Sequence, residues 1–225
     1  NRPFGAGDKL DGRKEQANQG DAEDKISCAE ECQPGALGRQ NKSRCEGKNA
    51  HGVSVYEAKK VNGSWTTVTG SSYARRITAD TPHAIAGPAK GHRLMQSKND
   101  ATGVQAYGTL NNCGGGKTPW GTYLTCEENF NGYFKKAVPG AMETRYGIAK
   151  AVYGADWSVI DERFNLDRFP NEAHRFGWVV EIDPYSPNAA PVKRTALGRF
   201  KHENAESVLA PNGQVVVYMG DDERN

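Results

Sequence analysis

Apolar residues in this chain fall in short runs of strand length, separated by turn-forming residues. The clearest case is Gly52-Val53-Ser54-Val55-Tyr56-Glu57-Ala58, which alternates with period two, then Asn62-Gly63, then Trp65-Thr66-Thr67-Val68. Asn-Gly accepts the positive φ angles of a tight hairpin, so the stretch predicts strand, turn, strand. Further strands are expected over Val104–Leu110, Trp120–Cys126, Gly177–Ile182, Arg194–Phe200 and Gln214–Met219. The last run is apolar on both faces, as a buried inner strand is. Between Lys135 and Phe176 the strand pattern lapses, and Ala155–Phe164 reads as a short helix stopped by Phe169-Pro170.

Composition agrees with a strand-built chain. Leu, Ile, Val and Phe supply only 36 of 225 residues, and mean hydropathy is −0.75. That is too little apolar mass for a large helical core. Disorder would also require a high net charge, whereas 29 basic and 27 acidic residues leave +2. The 26 glycines and 11 prolines are dispersed, which excludes a collagen-like array. Short strands with Gly and Pro turns predict an all-β sandwich, barrel or propeller. With a near-zero net charge and no basic stripe interleaved with aromatics, no nucleic-acid partner is expected. No apolar run approaches the ~18 residues of a membrane span, so no membrane insertion is expected.

Residues 1–50 differ from the rest, with 18 charged positions and no periodic apolar face from Asp8 to Lys25. They read as a charged loop or arm, with the β domain occupying 51–225. Cys28, Cys32 and Cys45 fit a disulfide staple in an oxidising compartment. A zinc site with His51 is the other reading, though the spacing matches a finger poorly. His83, His92 and His174 stand alone and are not singled out. No Gly-x-Ser-x-Gly motif anchors serine hydrolase chemistry.

Three strands run into acidic clusters: Cys126-Glu127-Glu128-Asn129, His202-Glu203-Asn204-Ala205-Glu206 and Gly220-Asp221-Asp222-Glu223. Adjacent like charges repel, so such an ending needs water or a cation to compensate. Carboxylates suit hard cations such as calcium, and a neighbouring thiolate suits a transition metal. A solvated turn is the plainer reading of any one cluster. Gly114-Gly115-Gly116-Lys117-Thr118 superficially resembles a phosphate loop. The leading Gly of that motif falls on Asn111, however, and a strand rather than a helix follows. The stretch is read as a Gly-rich turn between strands, with Cys113 as a structural thiol.

These clusters lie within longer blocks: Asn111-Asn112-Cys113-Gly114-Gly115 and Thr118-Pro119-Trp120-Gly121-Thr122-Tyr123-Leu124-Thr125-Cys126-Glu127-Glu128-Asn129-Phe130. Phe176 to Pro184, Lys193 to Glu203 and Val217 to Asp222 continue them. Together they resemble the signature of the PhoX-type alkaline phosphatases, over roughly residues 51–225. The resemblance implies part of a six-bladed β-propeller with long loop insertions, continuing beyond the chain end as given. It implies metal-dependent hydrolysis of small phosphate monoesters at a cluster of ferric iron (Fe3+) and calcium (Ca2+) at the channel mouth. Localisation would be periplasmic or extracellular in a bacterium, and the protein monomeric. Carried over, Cys126 is the thiolate on iron, Glu203 and Asp222 are carboxylate ligands, and Glu127 is a further ligand. Asp221 and Glu206 are weaker candidates, and His202 orients the site; no catalytic nucleophile is assigned. The residues before His51 depart from the family pattern, as does the long stretch from Lys135 to Phe176, read as a channel-rim loop. A calcium-binding propeller that recognises a ligand without turnover is the alternative.

Overall fold

The computed structural model describes residues 39–148 and 156–223, with side chains from 41 onward. Among these residues a helix, α1 (Arg39–Ala50), leads into twelve short strands. The first four are β1 (Val53–Val55), β2 (Ala58–Val61), β3 (Ser64–Thr67) and β4 (Arg75–Ile77). β5 (Pro82–Ala86), β6 (Gln105–Tyr107), β7 (Asn112–Lys117) and β8 (Tyr123–Glu127) follow. β9 (Val179–Ile182), β10 (Val192–Arg194), β11 (His202–Leu209) and β12 (Val215–Asp221) complete the set. The hairpin expected at Asn62-Gly63 joins β2 to β3, with φ of 49° and 86° at the two turn residues. Those paired positive angles match the strand twist, which is why Asn-Gly occupies the turn.

β7, β8, β9 and β10 form a four-stranded antiparallel meander, the unit from which propeller blades are made. β10 also pairs in parallel with β5, which pairs with β6, extending this sheet to six strands. The β11–β12 hairpin is a separate two-stranded sheet, and it lies against the β7–β8 end of the meander. Leu124, Cys126, Val179 and Ala205 are buried together there, with Leu197, Val217 and Met219 packed against them.

The largest apolar cluster is not between sheets but in the insertion between β8 and β9. Phe130, Phe134, Trp157, Phe164 and Phe176 are all fully enclosed, with Tyr133, Ile148, Ile160 and Leu166 around them. Several single 3-10 turns carry or immediately precede most of these residues, and a short helix, α2 (Ala141–Arg145), lies in the same insertion. The long loop insertion read from the sequence is thus a packed miniature core.

Four local expectations are corrected. Residues 39–50 are helical rather than loop. Their apolar residues do not fall on one face, but the helix docks through Cys45, which is disulfide-bonded, and through buried Lys48. Lys48 Nζ lies 2.7 Å from both Asp80 and Asp161. The bridged state of Cys45 supports the disulfide reading; Cys28 and Cys32 lie outside the described residues. His51 is committed elsewhere, its ring nitrogens engaging the Gly47 carbonyl at 2.7 Å and the Tyr133 hydroxyl at 2.9 Å. Second, Ala155–Phe164 contains two 3-10 turns, Trp157–Val159 and Glu162–Phe164. Between them the Asp161 side chain caps Arg163 N and pairs with Lys48 and Arg163, which breaks the helix. Third, the strand expected over Arg194–Phe200 ends at Arg194, where Thr195 donates to the Ala86 carbonyl and the chain turns through Gly198 at φ 85°. Fourth, β12 is not a buried inner strand: half-buried Val215, Val217 and Met219 alternate with exposed Val216 and Tyr218.

Candidate metal centre

Gly114, Gly115 and Gly116 lie inside strand β7, not in a turn, and their lack of side chains sets the geometry of the site. A Cβ on Gly114 would stand 2.6 Å from the Glu203 carbonyl oxygen, and one on Gly116 2.2 Å from that of Ala205. On Gly115 it would meet the Leu124 carbonyl at 2.1 Å. The glycines are needed for space, because real Cβ atoms do not approach backbone this closely. β11 therefore crosses β7 almost backbone to backbone. The β7–β8 ladder slips between Asn112 and Gly115, and the β11–β12 ladder between His202 and Ala205. Such bulges re-aim side chains beside functional sites. Here they flank Cys113 and Glu203.

The outcome is a group of three: Cys113 Sγ, a Glu128 oxygen and a Glu203 oxygen all lie within 4.8 Å of one another. Cys113 and Glu203 are exposed, and Glu128 is half-buried just past the end of β8. The neighbouring Glu128 carboxylate raises the Glu203 pKa, with burial and Asp222 adding to the effect. Burial raises that of the Cys113 thiol, and Glu128 and Glu203 push the same way. These three groups resist being charged together. A cation reverses that preference, holding both carboxylates ionised and displacing the thiol proton. Thiolate with carboxylate oxygens is a donor set for iron, and the carboxylates equally suit calcium. The residues fit a metal ion.

The candidates read from the sequence are distributed unevenly around this group. Glu203 belongs to it, and Asp222 is exposed and close enough to perturb Glu203. Cys126 is outside it, enclosed with Leu124, Val179 and Ala205. Burial, with the charges of Cys113 and Glu127, pushes its thiol up to about 12. Glu127 is fully buried and its carboxylate is occupied. Oε1 accepts from Lys193 Nζ at 2.7 Å and from Leu110 N at 3.3 Å, and Oε2 from Gly177 N and Trp178 N at 2.9 and 3.1 Å. Asp221 is exposed and accepts from Lys201 N at 3.3 Å. Glu206 is exposed further along β11, opposite Tyr218. His202 is buried, its ring 3.6 Å from that of Phe200 and its Nε2 3.2 Å from the Gly198 carbonyl; burial lowers its pKa. Sequence reasoning passed over Cys113 and Glu128. The signal available for Cys113 was its place directly before three glycines.

The meander with a second hairpin packed against it makes the chain all-β and part of a β-propeller, with a group of donors that could hold a metal where two strand pairs cross. A sequence profile described as "Alkaline phosphatase PhoX" matches residues 17–225. The chain belongs to the PhoX alkaline phosphatase family. It is similar to a solved structure, "Pseudomonas fluorescens PhoX in complex with vanadate, a transition state analogue", at 52% identity and a TM-score of 0.74. That similarity covers 77% of this chain and 30% of the solved one, so the chain spans less than a third of the length of that relative. A comparison with curated proteins found no match.

Proposed function

We propose that this chain contributes part of the metal centre of an alkaline phosphatase that hydrolyses small phosphate monoesters, with iron and calcium as cofactors. The observation that carries the reading is the convergence of Cys113, Glu128 and Glu203. Cys113 supplies the thiolate to iron, and Glu128 and Glu203 supply carboxylate oxygens. Asp222 and Asp221, at the adjoining end of β12, are further oxygen donors. Cys113 is preferred to Cys126 as the thiolate because Cys126 is enclosed and holds its proton.

Uncatalysed phosphate-monoester hydrolysis is extremely slow, and charge on the phosphoryl oxygens must be neutralised in the transition state. Bound cations supply that neutralisation and lower the pKa of a bound water. The part of this chain is to fix the donors. The glycine strand lets Glu203 reach Cys113, and buried Glu127 anchors the end of β8 so that Glu128 emerges beside them. Vanadate bound to the family relative supports phosphate as the reacting group. The disulfide at Cys45 supports an oxidising, exported location.

The test is turnover of p-nitrophenyl phosphate by the full-length protein, with iron and calcium measured on the same sample. Activity and iron lost together in Cys113→Ala, and both kept in Cys126→Ala, are expected. Calcium without iron, and no turnover, would instead favour a non-catalytic calcium-binding propeller.

A further inference from the structure

A pocket of about 400 Å³ is walled in part by residues that continue the segments carrying the donors. Phe130 lies two residues beyond Glu128, and Lys201 two residues before Glu203. The opposite rim is the end of α2, with Arg145 and Tyr146. That rim is firmly held: Glu143 accepts from Gly140 N at 2.9 Å and from Lys136 Nζ at 2.5 Å, and Ile148 N donates to its carbonyl at 2.8 Å. Asn131 Nδ2 donates to the Gly147 carbonyl at 3.3 Å.

Charge in the pocket is unevenly satisfied. Lys201 pairs with Glu223 at 2.5 Å, and the Asp221 carboxylate accepts from Lys201 N. Arg145 and Arg199 form no direct ion pair among the described residues, although Tyr146 hydrogen-bonds Arg199 and the Glu127 charge acts on it. Arg199 is held rigidly all the same. Its Nε donates to the Phe176 carbonyl at 2.7 Å and Nη2 to that of Ala173 at 2.8 Å. Its guanidinium carbon sits 4.0 Å from the Tyr146 ring centroid and 4.7 Å from that of Phe130. Such a cation, half-buried between two rings, has its orientation fixed before any ligand arrives. Exposed Arg145 stands on the rim beside it. A volume of this size suits a small organic group, and arginine suits carboxylate or phosphate oxygens.

We propose that this pocket is a subsite for the alcohol part of the substrate, selecting phosphate esters whose alcohol bears a second negative charge, a carboxylate or a further phosphate. The proposal rests on the phosphatase reading above: the reacting phosphoryl group sits at the donors, and the alcohol extends between Arg145 and Arg199. The insertion between β8 and β9 thereby determines specificity through its own residues.

The experiment compares ethyl phosphate with phosphoglycolate, which carries an added carboxylate, as substrates of the full-length, metal-loaded protein. Arg145→Ala is expected to raise KM for phosphoglycolate about tenfold, the scale of one lost charge-assisted hydrogen bond. KM for ethyl phosphate should change by less than about twofold, with kcat for both esters unchanged. Arg145→Lys is expected to recover part of the loss. Glycolate binding by calorimetry gives a readout without turnover, and weakening in Arg145→Ala is expected. Equal changes in kcat/KM for both esters, or no change for either, would overturn the subsite. If the unmodified protein hydrolyses neither ester, the phosphatase reading fails on its own. Calorimetry then decides the pocket: glycolate bound equally by both proteins, or by neither, overturns it.

Discussion

Lys193 Nζ lies 2.7 Å from Glu127 Oε1, and both side chains are completely shielded from water. The pair ties β10 to the end of β8, one residue from Glu128. Glu127 also receives the backbone amides of Leu110, just before β7, and of Gly177 and Trp178, just before β9. One carboxylate thus fixes the strands that present Cys113 and Glu128. Burial lowers the Lys193 pKa, while the Glu127 charge works against that shift.

Removing one partner of this pair leaves a buried charge uncompensated. Lys193→Met is expected to destabilise the protein by about 3–5 kcal/mol, and the double variant with Glu127→Gln to regain part of that. Urea unfolding of the single and double variants checks it. Equal stability of Lys193→Met and the unmodified protein would contradict the structural role.

At Gly116 even a methyl group collides with the Ala205 carbonyl. Gly116→Ala is expected to push β11 from β7 and cost about 1–3 kcal/mol, the usual range for overpacking. Iron content should fall as Glu203 moves away from Cys113. Gly213→Ala is a useful contrast, since nothing lies within 4 Å of that Cβ, though its φ of 80° brings strain.

Chelation should expose one thiol and not the other. In metal-stripped protein, iodoacetamide is expected to alkylate exposed Cys113, while enclosed Cys126, with its pKa near 12, stays unmodified. Restoring iron should protect Cys113. Peptide mass spectrometry reads both sites, and preferential labelling of Cys126 would reverse the assignment of the thiolate.

Acid should destabilise the fold partly through His83. This fully buried ring has its pKa lowered from 6.5 to about 3, first by burial and then by Lys193. A depressed folded-state pKa means that protons bind the unfolded chain more readily. The neutral ring's contribution is therefore intact above pH 6.5 and is lost as pH falls toward 3, by about 4–5 kcal/mol in all. His83→Gln is expected to flatten the fall in stability across that window. Denaturant midpoints measured at successive pH values test this.

The hairpin at Asn62-Gly63 was legible because two residues determine its geometry locally, and β8 and β9 fall within the expected stretches Trp120–Cys126 and Gly177–Ile182, β8 running one residue further. Other features depend on distant contacts. Gly114-Gly115-Gly116 has the composition of a turn and becomes a strand only because β8 and β11 crowd its backbone. Glu127 and Glu128 are chemically identical in the sequence. Which one is buried follows from Lys193 and the backbone amides of Leu110, Gly177 and Trp178, the lysine and the last two far along the chain. Helix α1 lacks an apolar face, and its docking rests on Lys48 with two aspartates and on the buried Cys45 side chain. Of the three acid-ended strands, two contribute to the group of Cys113, Glu128 and Glu203, and their grouping turns on bulges that no local pattern reveals.

β8 and β9 are hydrogen-bonded neighbours, yet residues 128–178 separate them along the chain. A flexible connection of that length would make their pairing entropically expensive and slow. The aromatic cluster inside the connection changes the problem. Once Phe130 and Phe176, its first and last enclosed rings, join one cluster, the ends of the excursion are already gathered in a common core. The insertion then works as a clasp: its own collapse brings β8 and β9 within reach, and closing the blade becomes a short-range event.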